Sequence, residues 1–177
     1  MPKFIILDRD GTIIKDEGYV HKIEDLEFLS GAISGLKRFR DAGCRFIIIT
    51  NQAGIARGIF TSGQLDIFQN ELLKQLTAEG ISIDKIYYCP HHPDITGPCQ
   101  CRKPKTKLLE EAAEKYGFSA EECIVIGDKD SDIELGLNFG SKTILIKNGQ
   151  YENLVPPHFK ARDLSHAFER LKKADLI

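Results

Sequence analysis

Short, continuous apolar runs recur along this chain, at residues 5–7, 45–50, 123–126 and 143–146, with a further strand expected at 83–88, and the segments between them carry helical periodicity. Runs of this kind without polar alternation read as strands buried on both faces, the pattern of a parallel sheet covered by helices. The intervening helices have their own signals. Residues 31–41 place Ile33, Leu36 and Phe39 near helical spacing, and Ala42-Gly43 supplies a C-cap. Thr61-Ser62-Gly63-Gln64 is a capping-box pattern that opens a helix with Leu65, Phe68, Leu72 and Leu76 on one face, stopped by Gly80. Further helices are predicted at 106–116, 131–139 and 164–172, with one extra turn at 119–122. Residues 14–29 read as irregular. The expected architecture is α/β: a doubly wound, Rossmann-like parallel sheet in one domain spanning 1–177.

In such a sheet, ligands bind beyond the carboxyl ends of the strands. Here those ends are polar: Asp8 and Asp10 after the first, Thr50-Asn51 after the second, Gly127-Asp128 after the fourth. Residues i and i+2 of an extended segment point the same way, so Asp8 and Asp10 emerge side by side. Paired carboxylates repel and resist burial unless a cation or a shared proton compensates. Asp8, Asp10 and Asp128 offer hard oxygen ligands suited to Mg²⁺. Thr50, Asn51 and the amides of the Gln52-Ala53-Gly54 turn can donate to a phosphoryl group, and Arg102-Lys103 brings positive charge. Acids, a divalent cation, a hydroxyl and a lysine make a set for phosphoryl transfer, where positioning and charge neutralisation dominate catalysis.

Asp8-Arg9-Asp10-Gly11-Thr12, then Thr50, then Lys103, then Gly127-Asp128 with Asp132 resembles, in that order, the motifs of the haloacid dehalogenase superfamily of aspartate-nucleophile phosphatases. The resemblance covers nearly the whole chain. It implies in-line attack by Asp8 to give an aspartyl-phosphate, with Asp10 as acid and then base. It also implies Mg²⁺ on the Asp8 side chain, the Asp10 backbone carbonyl and Asp128, a phosphoryl held by Thr50 and Lys103, and Asp132 orienting Lys103 or the metal shell. About forty residues separate Asp10 from Thr50 and about fifty separate Thr50 from Lys103. Predicted elements fill both intervals, so a capless enzyme is expected.

Of five cysteines, Cys44 and Cys123 border apolar runs and read as core thiols. Cys89, Cys99 and Cys101 cluster with His91 as C-x-H, seven residues, C-x-C. Three thiolates and an imidazole suit a closed tetrahedral Zn²⁺ site, hence a structural one pinning a loop beside Arg102-Lys103. His92 is the competing ligand; the resembling family uses the first histidine. Zinc-bearing capless members of that family include heptose-bisphosphate and histidinol-phosphate phosphatases. Residues 16–21, 50–58 and 87–93 look most like the former. That resemblance implies substrate contacts from Asp16, Glu17, Gly18, Tyr19, Asn51, Gln52, Ala53, Arg102 and Lys129. It implies release of the 7-phosphate of D-glycero-D-manno-heptose 1,7-bisphosphate for nucleotide-activated heptose and lipopolysaccharide synthesis. Histidinol phosphate is the alternative substrate.

A net charge of −2 gives no global attraction to nucleic acid or anionic membrane. No apolar stretch approaches the ~20 residues of a membrane span, and the chain enters its first strand without a secretory leader pattern. A cytoplasmic enzyme acting as a monomer on a small phosphorylated molecule is the expectation.

Overall fold

The computed structural model describes residues 2–147 and 149–177. Its strands are β1 (Phe4–Leu7), β2 (Arg45–Asn51), β3 (Ile83–Cys89), β4 (Cys123–Gly127), β5 (Lys142–Ile146) and β6 (Phe159–Ala161). Its helices are α1 (Ala32–Asp41), α2 (Ser62–Ala78), α3 (Pro93–Thr96), α4 (Lys107–Tyr116), α5 (Asp130–Phe139) and α6 (Leu164–Lys173). All strand pairs are parallel, in the order β3-β2-β1-β4-β5-β6.

The sheet is covered on both faces, as the continuous runs require. Ile5 and Leu7 of β1 pack with Phe46 and Ile48 against Leu36, Phe39, Phe68, Leu72, Leu164 and Leu171, from α1, α2 and α6. Phe4 and Ile6 point the other way and join Ile47, Ile49 and Val125 against Leu108, Leu109 and Ala112 of α4 and Leu135 of α5. β1, β2 and β4 thus each supply two cores by simple alternation.

The predicted capping box forms: Thr61 Oγ1 accepts from the Gln64 amide at 3.2 Å, and Gln64 Oε1 accepts from the Thr61 amide at 2.8 Å. Between β1 and α1 the only regular element among the described residues is a 3₁₀ turn, Ile23–Asp25. The interval from β2 to Lys103 holds α2, β3, α3 and the cysteine loop. No cap domain interrupts either.

Two elements were not anticipated. β6 is three residues long, with Lys160 exposed between Phe159 and Ala161, and follows Pro156-Pro157. It pairs only with β5, at the sheet edge, where a short alternating segment suffices. α3 is a single turn inside the cysteine loop, with Pro93 in its first turn.

β1 lies between β2 and β4, so the chain's crossovers diverge on either side of it. The crevice at its carboxyl end is the topological switch point, and there Asp8 leaves the sheet.

Candidate active site

The Asp8 amide makes a last ladder bond to the Ile126 carbonyl, 3.0 Å, and the chain then turns out of the sheet. Asp8 is buried, and so is its cation. Lys103 Nζ donates to Asp8 Oδ1 at 2.7 Å and to the Ile49 carbonyl at 2.7 Å, and lies 2.6 Å from Asp132 Oδ1. Three acceptors match the three protons of an ammonium. Burial alone would lower the Lys103 pKa, but Asp132 and Asp8 outweigh it and hold it above the ordinary lysine value.

The supports of that lysine come from the end of β1, from β2 and from the first turn of α5. Asn51, ending β2, clamps its backbone: Oδ1 accepts from the Lys103 amide at 3.0 Å, and Nδ2 donates to the Lys103 carbonyl at 3.3 Å. Asp132, in the first turn of α5, also accepts from the Lys129 amide at 3.1 Å. The expected orienting role of Asp132 therefore has a geometric basis. Gly127 makes room for it, since a Cβ there would lie 2.3 Å from Asp132.

Asp10 is gripped from two sides. Arg9 Nε and Nη2 donate to its carboxylate at 2.9–3.1 Å, and Gln52 Nε2 donates to Oδ2 at 3.0 Å. Gln52 Nε2 also reaches Thr50 Oγ1 at 2.9 Å. Burial pushes the Asp10 carboxyl above its ordinary value; Arg9 opposes the shift and Asp8 adds to it. A carboxyl with raised proton affinity suits a group that must first donate a proton.

Arg9 itself is fully buried, donating from Nη2 to the Val20 carbonyl at 2.7 Å, with its guanidinium 4.7 Å from the Phe68 ring centroid. Sequence reasoning assigned it no role. The available signal was its place between two aspartates, one of which its side chain binds.

Asp8, Asp128 and Asp132 bring carboxylate oxygens within 4.8 Å of one another. Glycine at position 11 is required here: its φ is +81°, and a Cβ would lie 2.1 Å from Asp128 Oδ2. Lys103 answers Asp132 and one oxygen of Asp8. Three buried carboxylates around one buried ammonium fit a hard divalent cation, with Asp8 and Asp128 as its side-chain ligands.

A cleft of about 440 Å³ opens above this centre, lined by Asp10, Asp16, Gly18, Tyr19, Asn51, Gln52, Ala53, Arg102 and Lys129. Of the anticipated contacts only Glu17 is not among the lining residues; it is exposed to solvent. Arg57, His92, Ser131 and Tyr151 complete the lining. A smaller recess of about 30 Å³ beneath it is bounded by Asp8, Asp10, Thr50, Asn51, Lys103, Lys129 and Ser131. Lys129 bridges the two. Its Nζ is 2.9 Å from Asp16 Oδ2. Burial disfavours its charge, but Asp8, Asp128 and Asp16 outweigh that and raise its pKa.

The cysteine cluster closes beside the cleft. Cys89 Sγ lies 3.7 Å from Cys99 Sγ, 3.7 Å from His91 Nδ1 and 3.0 Å from Cys101 Sγ, and His91 Nδ1 is 3.3 Å from Cys101 Sγ. These separations are too long for disulfides, and all five cysteines are free. Zn–S bonds of ~2.3 Å give a tetrahedral edge of ~3.7 Å, so the four atoms could hold that ion with little movement. His92 is engaged elsewhere: Nδ1 accepts from the Asp94 amide at 3.2 Å, and Nε2 is 2.8 Å from Arg57 Nη2. The His91 backbone carbonyl accepts from Arg102 Nη1 at 3.3 Å, tying the cluster to the cleft wall. Cys44 and Cys123 are core thiols, which burial pushes up to about 11 and about 12.

Fold and site together define a phosphatase built on a parallel α/β sheet. Residues 100–171 match the HAD-hydrolase-like family model. The chain is 43% identical over 153 residues to the D-glycero-α-D-manno-heptose-1,7-bisphosphate 7-phosphatase of Photorhabdus laumondii, covering 83% of this chain and 84% of the relative. It is 37% identical over 155 residues to the D-glycero-β-D-manno-heptose-1,7-bisphosphate 7-phosphatase of Haemophilus influenzae, covering 85% and 84%. Its fold matches the D,D-heptose 1,7-bisphosphate phosphatase of B. bronchiseptica, crystallised with magnesium and phosphate, with a TM-score of 0.86, 28% identity, and coverage of 97% and 99%. The chain belongs to the haloacid dehalogenase-like (HAD) hydrolase family.

Proposed function

We propose that this enzyme removes the 7-phosphate of D-glycero-D-manno-heptose 1,7-bisphosphate through an aspartyl-phosphate on Asp8. The observation that carries the chemistry is the buried Lys103 ammonium between Asp8 and Asp132. It occupies Asp8 Oδ1 and leaves Oδ2 to attack phosphorus in line. Thr50 and Lys103 hold the transferring phosphoryl in the recess. As the P–O7 bond breaks, Asp10 gives its proton to the departing sugar oxygen. Asp10 then takes a proton from the water that attacks the aspartyl-phosphate, releasing inorganic phosphate and restoring Asp8. Mg²⁺ held by the Asp8 side chain, the Asp10 carbonyl and Asp128 would neutralise charge on the phosphoryl oxygens. Zn²⁺ on Cys89, His91, Cys99 and Cys101 would be structural, fixing the loop that carries Arg102 and Lys103.

The relatives' names favour the heptose substrate over histidinol phosphate. The cleft agrees in charge: Arg57 and Arg102 line it, with Lys129 nearest the recess, and a second phosphate needs such partners. No described helix is long and apolar enough to cross a membrane. In this reading the enzyme works in the cytoplasm as a monomer on a small molecule, supplying precursor for nucleotide-activated heptose.

Phosphate release with Mg²⁺ tests this, comparing both anomers of heptose 1,7-bisphosphate with histidinol phosphate at equal concentrations. A preference of about 10²-fold or more for a bisphosphate anomer, ~2.7 kcal/mol of transition-state discrimination, is expected. Preference for histidinol phosphate would overturn the substrate and leave the chemistry standing.

A further inference from the structure

The segment that follows β5 is bonded to the site at several points which phosphoryl transfer does not require. Gln150 Nε2 donates to the Asp16 carbonyl at 2.8 Å, and the Tyr151 hydroxyl donates to Asp16 Oδ2 at 2.8 Å. Asn153 Nδ2 donates to the Asp128 carbonyl at 3.0 Å. The Leu154 and Val155 amides donate to the two oxygens of Asp130 at 3.0 and 3.2 Å. The segment is thereby fastened both to the loop after β1 and to the loop between β4 and α5. Among its described residues, Tyr151 is the one that lines the cleft.

Tyr151 lines the cleft and is 40% exposed, with the Lys129 ammonium 4.8 Å from its ring centroid. Tyr19 lines the same cleft from the other loop, is 44% exposed, and has a φ of +54°. A left-handed backbone at a bulky non-glycine residue is a strained conformation that surrounding structure must hold. Asp16 provides that hold nearby: it accepts from Lys129 and Tyr151 through Oδ2 and from the Gly18 amide through Oδ1 at 3.0 Å. Two partly open aromatic rings, that of Tyr151 held at its hydroxyl, make an amphipathic wall over a charged recess. The negative face of such a ring attracts polarised C–H groups, which a sugar ring displays on its carbon faces.

We infer that Tyr151 determines specificity: its ring receives the carbon skeleton of the phosphorylated sugar, and its hydroxyl fixes Asp16 and the loop that carries Tyr19. This rests on the reading that the substrate carries a sugar beyond the phosphoryl group. It separates the recess, which recognises any phosphoryl, from the wall above it, which selects the ester.

The test is steady-state kinetics of the wild type, Tyr151→Phe and Tyr151→Ala on heptose 1,7-bisphosphate and on acetyl phosphate, which has no ring. Tyr151→Ala should raise KM for the sugar about tenfold or more, with kcat and acetyl phosphate turnover changed by less than about threefold. Tyr151→Phe, which keeps the ring but loses the hydrogen bond to Asp16, should give a KM between those of the wild type and Tyr151→Ala. Equal losses on both substrates, no loss on either, or a Phe variant as impaired as the Ala variant would each overturn the inference. Should the wild type reject heptose bisphosphate, the substrate reading fails by itself. The same variants are then compared on the sugar phosphate the wild type hydrolyses best, and the ratio to acetyl phosphate still decides on Tyr151.

Discussion

The Lys103 ammonium and the Asp132 carboxylate lie 2.6 Å apart, both side chains buried, one preceding α4 and the other in the first turn of α5. Through this pair the loop after β4 fixes a cation whose other contacts are the ends of β1 and β2. Three strand ends are thus locked into one charge arrangement before any substrate arrives.

Removing one partner of a buried ion pair leaves the other uncompensated. Asp132→Ala should destabilise the protein by about 3–5 kcal/mol and reduce turnover, because Lys103 then has only Asp8 as a counter-ion. Urea unfolding followed by circular dichroism measures the first effect. Destabilisation below about 1 kcal/mol would show that water reaches the site and screens the lysine.

The cysteine cluster makes a metal-content prediction. The purified enzyme should carry one zinc per chain, released by His91→Ala and by Cys101→Ser and retained by His92→Ala. Elemental analysis decides it. Zinc kept in His91→Ala and lost in His92→Ala would reverse the assignment, against the bonds that His92 makes to Asp94 and Arg57.

Asp16 gives a pH prediction. Burial raises its pKa, but the hydrogen bond and charge of Lys129, with the Tyr151 hydroxyl, outweigh that and place it below the ordinary carboxylate value. A depressed folded pKa stabilises the fold above the unfolded value of ~3.9, and that stability is lost as pH falls through the folded value. The stability difference between wild type and Asp16→Asn should therefore be constant above about pH 5 and shrink on acidification below about pH 4. Denaturant midpoints across that range report it; a difference that grows on acidification would contradict the shift.

Much of this site is legible before folding because strand ends are local signals. Asp8, Thr50 and Asp128 each follow an uninterrupted apolar run, and parallel topology alone brings those ends together. The Lys103 support from Asp132 is likewise implied by motif order. Arg9 is signalled only by its neighbour Asp10; its other partners, Val20 and Phe68, come from a loop and a helix remote in sequence. Tyr151 and Arg57 reach the cleft only through long-range packing of loops that carry no periodic pattern. β6 escapes for a different reason: three residues with one exposed lysine are too few to show a period.

In the proposed reaction the phosphoryl group passes through Asp8. Rapid acid quench of the enzyme during turnover, followed by peptide mass analysis, tests it most directly. A phosphorylated peptide containing Asp8, sensitive to hydroxylamine, is expected, with a loss of turnover on the order of 10³-fold or more in a folded Asp8→Asn variant. A phosphoryl group on another residue, or substantial turnover by Asp8→Asn, would contradict it.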